Sequence, residues 1–254
     1  MMKFLAKRRP MWQAAVAMLG LLAFLTTLSY FLSWLPAPIG PAAEQFANGS
    51  WVTVQLTLVA GSAGVVIGVL VGVGKLSRVA PIRWLCDVYV WVIRGTPLLL
   101  QILFVWLVVP EVFPESWQIS DFATSVIALA FNVGAYNSEC VRAGILSVPH
   151  GQTEAAQALG LTSMQTFFKV VLPQSMRVAL PALANNLASL VKDSSLAYSI
   201  SVVELTMVGY RVQTESYQPV PVFLGTACIY LVLTTAFTTM TSALEKQLDV
   251  GQKR

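Results

Sequence analysis

Charged side chains are scarce in this sequence. Only 11% of its 254 residues are Asp, Glu, Lys or Arg, against roughly a quarter in soluble globular chains. With 56% hydrophobic residues and a mean hydropathy of +0.68, a water-soluble domain is excluded. Histidine is scarcer still: the one present, His150, lies between Pro149 and Gly151 with no cysteine or acid pair placed to share chemistry with it. It reads as a surface loop residue and not as part of an active site. The three cysteines, Cys86, Cys140 and Cys228, lie in or beside apolar segments. Their odd number and lack of ligand spacing argue against a disulfide framework and a metal site. A nucleotide-binding loop is missing too. Gly72, Gly74 and Lys75 imitate part of one, but Val69 stands where a Walker loop needs glycine, and Leu76 where it needs serine or threonine. Nor is there a base-reading or phosphate-tracking pattern, so the formal charge of +4 does not point to nucleic acid.

What is present is a series of long apolar runs. Residues 12–35 follow a basic start containing Lys3, Lys7, Arg8 and Arg9. The run is too long for the hydrophobic part of a signal peptide, normally ~7–15 residues, and long enough to span a bilayer. It predicts an extra first helix, followed by a Pro- and Gly-punctuated loop over residues 36–49. Further spans are predicted at about 51–74, 84–109, 122–141, 178–203 and 220–244. In the second, Gly64, Gly68 and Gly72 recur every four residues after Gly61, a bare face that lets a neighbouring helix approach closely. The third is interrupted by Arg94-Gly95-Thr96-Pro97. Short acidic stretches at 111–121 and 204–219 separate later spans, and a charged tail follows residue 245. The expected architecture is an all-α, polytopic transmembrane bundle of six spans. Its parts are residues 1–50, a core over 51–245 and a tail over 246–254.

With the amino terminus inside, all of the 16 basic residues fall in inner segments except Arg94 and Lys192, which lie within spans, and Arg211, which lies outside. The positive-inside rule therefore predicts both termini in the cytoplasm. It places the longest polar stretch, residues 142–177, on the same side.

Within that stretch, residues 154–173 predict two short helices. Glu154 to Leu159 is a run of helix formers with Glu154 in its first turn, slim because of Ala155, Ala156 and Ala158. Gly160 stands where a left-handed residue closes a helix. Thr162 followed by Gln165 is a capping box, and Met164, Phe167, Phe168 and Val171 form one apolar stripe before Pro173 ends the second helix. A rigid knob on the polar side of a membrane protein is a docking element for another protein.

Glu154-Ala155-Ala156, Gly160 and Leu172-Pro173 resemble the EAA loop of ATP-binding-cassette importer permeases, and the likeness runs from about Trp51 to Glu245. Arg94-Gly95-Thr96-Pro97, Gln152 and the segment from Leu190 through Lys192, Asp193, Ser194 and Ser195 to Leu196 resemble the polar amino-acid branch. The resemblance implies a type I importer permease in a bacterial cytoplasmic membrane. Glu154, Ala155, Ala156, Gly160, Leu172 and Pro173 would couple it to a separate dimeric ATPase that carries the ATP and Mg, so this chain is expected to be neither an enzyme nor a cofactor binder. Its other implied partners are a second permease, identical or paralogous, and an extracytoplasmic amino-acid-binding protein.

Charge inside a membrane is disfavoured by about 2.5–3.5 kcal/mol per residue, which marks such residues as functional candidates. Asn185, Ser189 and Lys192 fall at i, i+4 and i+7 on the fifth span, continued by Asp193, while Asn132, Tyr136 and Glu139 repeat the spacing on the fourth. Two such stripes suggest a shared polar path. Lys192, Asp193, Ser194 and Ser195 offer partners to both ends of a zwitterion, though a structural Lys192–Asp193 pair explains them equally. Arg94 fits a gate, a partner for Glu139 or a helix kink. A self-sufficient secondary transporter or channel is the alternative, and it leaves the docking knob without a task. The sequence does not select one amino acid.

Overall fold

The computed structural model describes residues 2–112 and 119–249, and among them every regular element is helical. The acidic stretch expected at 111–121 falls mainly on 113–118, and the end of the charged tail on 250–254. Both lie outside the described residues.

Helix α1 (Met2–Ser33) places Leu21, Leu25, Leu28 and Leu32 at i, i+4, i+7 and i+11. This stripe is buried in one cluster with Ile229, Leu233 and Phe237 of the last helix, α10 (Pro219–Asp249). The loop expected over 36–49 is short. A 3-10 turn at Gly40–Ala42 leads directly into α2 (Ala43–Gly74), so that helix begins eight residues before Trp51.

The glycine face of α2 meets α5 (Asp121–Leu146). A Cβ on Gly64 would strike the Val133 side chain, one on Gly68 the Cβ of Asn137, and one on Gly72 would lie 2.7 Å from the Ser138 carbonyl oxygen. Gly134 returns the arrangement, since a Cβ there would lie 2.7 Å from Ile67. Backbones approach this closely only where one of the two facing residues lacks a side chain.

The predicted third span is two helices, α3 (Ala80–Gly95) and α4 (Leu98–Val112), meeting at 109°. Thr96 between them is extended, φ −120° and ψ 149°, as a residue preceding proline tends to be.

After α5 come α6 (His150–Ala158), α7 (Ser163–Thr166), a π-helical turn at Phe167–Val171 and α8 (Leu172–Asp193). Two expectations are corrected here. Helix α6 starts at His150, not Glu154, because Pro149 takes the N-cap position and the intervening polar residues join the helix; Glu154 is therefore past the first turn and His150 is helical. Pro173 does not end a helix either. It sits in the first turn of α8, where its missing N–H is not needed.

A 3-10 segment, Ser194–Ile200, precedes α9 (Leu205–Ser216), so residues 204–219 are not a plain loop. Glu204 caps α9 by accepting from Met207 N at 2.8 Å and Thr206 N at 2.9 Å, and it also accepts from the Tyr230 hydroxyl at 2.7 Å. It is fully buried, which is tolerable only because these donors satisfy it.

Among the described residues, three stretches are long and apolar enough to cross a membrane: Ala15–Ser33, Gly40–Gly74 and Pro219–Ala243. The broken pair α3–α4 meets the same test jointly. Helices α5 and α8 have 26 and 22 residues, but polar faces lower their hydropathy. Those faces turn toward each other.

Candidate functional site

A polar cavity of about 370 Å³ lies where the α3–α4 break, α5 and α8 converge. Thr96, Pro97 and Leu98 come from the break, Asn132, Val133 and Tyr136 from α5, and Asn186, Ser189 and Asp193 from α8. Four expected path residues, Asn132, Tyr136, Ser189 and Asp193, meet here. Arg94 ends α3 where a cation favours the helix dipole, and its guanidinium lies 5.1 Å from the centre of the Tyr136 ring. Tyr136 lines the cavity and Arg94 does not, so the contact joins Arg94 to the cavity through one aromatic ring.

The other expected path residues lie elsewhere. Asn185 is exposed and does not line the cavity; its neighbour Asn186 does. The Asn186 amide donates to Asn137 Oδ1 at 2.9 Å, fixing the rotation of α8 against α5. Lys192 turns to a separate groove of about 280 Å³ with Ser195, Thr206, Thr226 and Tyr230, so it and Asp193 serve different spaces. Ser194 is fully buried and donates to Val191 O at 2.8 Å, a helix-end contact.

Glu139 is not the partner of Arg94. It bonds Lys75 at the end of α2 and Arg142 on its own helix at 2.8 Å, and Lys75 also reaches Asp87 of α3 at 3.1 Å. Burial alone would lower the Lys75 pKa, but the two carboxylates outweigh it and hold the ammonium above the usual lysine value. This cluster pins α2, α3 and α5 together beyond the cavity.

The break has an internal splint that the sequence reading missed. Pro97 has no N–H to give the Ile93 carbonyl, its helical acceptor four residues earlier. Gln101 Nε2 donates to that oxygen at 2.7 Å, to Thr96 O at 3.1 Å and to Thr96 Oγ1 at 2.9 Å. Its Oε1 accepts from Asn132 Nδ2 at 2.9 Å. The signal was available: an amide one turn past a helix-breaking proline.

On the polar side, α6 closes with a Schellman motif. Leu161 N donates to Ala156 O at 3.2 Å and Gly160 N to Gln157 O at 2.9 Å, with Gly160 at φ +84°. Thr162 then makes both capping-box bonds with Gln165, at 3.0 and 3.3 Å. Ala156 is buried, while Glu154, Ala155, Leu159 and Met164 are exposed, Leu159 at 83%. Leu172 is half-buried and Pro173 exposed at the entry to α8. Of the expected stripe, Phe167 is half-buried but Phe168 is exposed. The knob joins α5 to α8, the two helices whose polar faces line the cavity.

Residues 64–250 match the family model of the binding-protein-dependent transport system inner membrane component. The chain is 37% identical over 204 residues to the L-cystine transport system permease protein TcyB of Bacillus subtilis, covering 80% of this chain and 86% of that one. It is 31% identical over 212 residues to the glutamine transport system permease protein GlnP of Escherichia coli, covering 84% and 96%. A crystal structure of an amino acid ABC transporter with histidines superimposes with a TM-score of 0.73 at 34% identity, over 80% of this chain and 94% of that chain. The inward-facing MetNI methionine ABC transporter shares the fold, with a TM-score of 0.63 at 22% identity and coverage of 80% and 98%.

Proposed function

Because the chain belongs to the binding-protein-dependent transport system inner membrane component family, we propose that it is the membrane-spanning subunit of an ATP-driven importer for polar amino acids. In that family the permease is not the catalyst, and ATP hydrolysis sits on a separate subunit. The amino-acid permeases among its relatives support the substrate class. The observation that carries the mechanism is the direct connection of the knob to both cavity walls. A push on α6 from a closing ATPase dimer would travel along α5 and α8 and change the cavity's access from one side to the other. An exposed leucine at the tip of a polar knob needs a cover, and a cleft on the ATPase would supply it.

Asp193, which lines the cavity, would take the substrate ammonium, while Arg94, held over the cavity-lining Tyr136, would reach in for the carboxylate. Uptake into vesicles by the purified complex, with and without ATP, its ATPase and its binding protein, tests the whole reading. Uptake that persists without the ATPase would transfer support to a self-sufficient transporter. Asp193→Asn should leave the complex assembled. A hydrogen bond to a charged group contributes about 1.5–3 kcal/mol, so uptake should fall roughly ten- to a hundredfold. Wild-type uptake in that variant would remove Asp193 from the site.

Six spans with both termini in the cytoplasm of a bacterial inner-membrane protein complete the reading. In a protein whose three native cysteines are replaced, Ala37→Cys should react with an impermeant thiol reagent added outside intact cells, and Lys246→Cys should not. Labelling at both positions would overturn the topology.

A further inference from the structure

The α3–α4 break joins two kinds of space. On one side lies the polar cavity. On the other is an almost wholly apolar cavity of about 430 Å³ that includes Val92, Ile93, Phe104, Ile127 and Phe131. Thr96 lines both, and Gln101 lines the apolar one. The Gln101 amide therefore stands in the partition.

Its orientation is unambiguous. Ile93 O and Thr96 O accept only, so the side facing the break is the NH₂ group and the side facing α5 is the carbonyl oxygen. That oxygen in turn demands a donor, and Asn132 must present its Nδ2. The Asn132 carbonyl is thereby directed away from Gln101, on a side chain that lines the polar cavity. A proline without an N–H thus fixes, through one glutamine, which edge of an asparagine the cavity offers.

We propose that Gln101 is a positioning residue for substrate selection. Without touching substrate, it holds Asn132 as an acceptor toward the polar cavity, and it holds the break at the angle that keeps the polar and apolar cavities apart. The group selected is an N–H donor, an ammonium or an amide, lying near Asn132. This rests on the cavity being the substrate path, as proposed above.

The test uses the complete importer in vesicles and a panel of L-amino acids, each at a concentration that saturates the binding protein, so that the binding protein's affinity drops out. Gln101→Met keeps the side-chain volume and removes every bond. It should assemble normally and hydrolyse ATP at a rate within about twofold of the unmodified complex. Uptake of the preferred amino acid should fall by about ten- to a hundredfold, since a misplacement of about 1 Å can cost on the order of a hundredfold. The ranking across the panel should also change. Asn132→Ala should lower uptake to a similar extent with the break's own bonds intact. The double variant should show no further loss, because two residues acting as one unit are not additive.

An unchanged rate and ranking in Gln101→Met, or additive losses in the double variant, would overturn the proposal. If Gln101→Met does not assemble, Asn132→Ala decides alone, and wild-type ranking there overturns it. Failure of ATP-dependent uptake by the unmodified complex is a different result and would refute the importer reading itself.

Discussion

A complex carrying Gly160→Val is expected to lose ATP-driven uptake while its permease still inserts and folds. The space around the residue is not the reason, because a Cβ there would meet nothing within 4 Å. The backbone is: at φ +84° the position lies in the left-handed region, which a β-branched residue resists. Holding such a residue there costs on the order of 1–3 kcal/mol. That is enough to unwind the Schellman closure of α6 and to change the angle between α6 and α7. The knob is outside the spans, and its loss leaves the α2–α5 glycine contact, the Asn137–Asn186 bond and the Gln101 splint untouched. Transmission from the ATPase should therefore fail, seen as weak retention of the ATPase or as hydrolysis without uptake. Partner retention, ATPase rate and uptake measured on one preparation decide it. If all three match the unmodified complex, residues 154–173 are not the coupling element.

A still larger effect is expected from Gly68→Val, of the opposite kind. The added Cβ would meet the Cβ of Asn137, with Asn137 C at 3.1 Å and Ser138 N at 3.2 Å behind it. These are backbone atoms and cannot rotate away as a side-chain end can. Overpacking costs about 1–3 kcal/mol where side chains can shift, and here the helices themselves must separate. Separation would also move Asn137, which accepts from Asn186, so the disturbance reaches α8 and the cavity. The variant should be recovered from membranes at a small fraction of the normal yield, or aggregate on extraction. Gly20→Ala is the control: nothing lies within 4 Å of a Cβ at Gly20, and its yield should be unchanged. Equal yields of Gly68→Val and Gly20→Ala would show that the glycine face is not a packing seam.

Much of the fold was legible because membrane helices are written in composition and length. The apolar runs, the small-residue face of α2 and the punctuation by Pro97, Gly160 and Thr162 all act within a few residues of themselves. Chemistry of that range is visible in sequence. The knob was legible for the same reason, since the Schellman and capping-box bonds join residues three to five apart. Its start was misplaced because the residues before Glu154 have no strong preference of their own, and Pro149 decided the boundary.

The sequence by itself determined a membrane class, a set of helices, a two-helix knob between the two most polar of them, and charges placed where charge is disfavoured. Only the tertiary structure decided which of those polar residues meet. On a helix turning about 100° per residue, spacings of i, i+4, i+7 and of i, i+3, i+7 fall on overlapping arcs. Asn185-Ser189-Lys192 and Asn186-Ser189-Asp193 are therefore equally plausible stripes. The choice came from outside the helix. The bare glycine face of α2 seats α5, Asn137 on α5 accepts from Asn186, and that bond sets the rotation of α8, which turns Asp193 into the cavity and Lys192 into a different groove. Glu139 was likewise assigned by helices far from it in sequence, since Lys75 lies 64 residues away. Rotation about a helix axis and contact between distant segments are set by packing, and no local spacing encodes them.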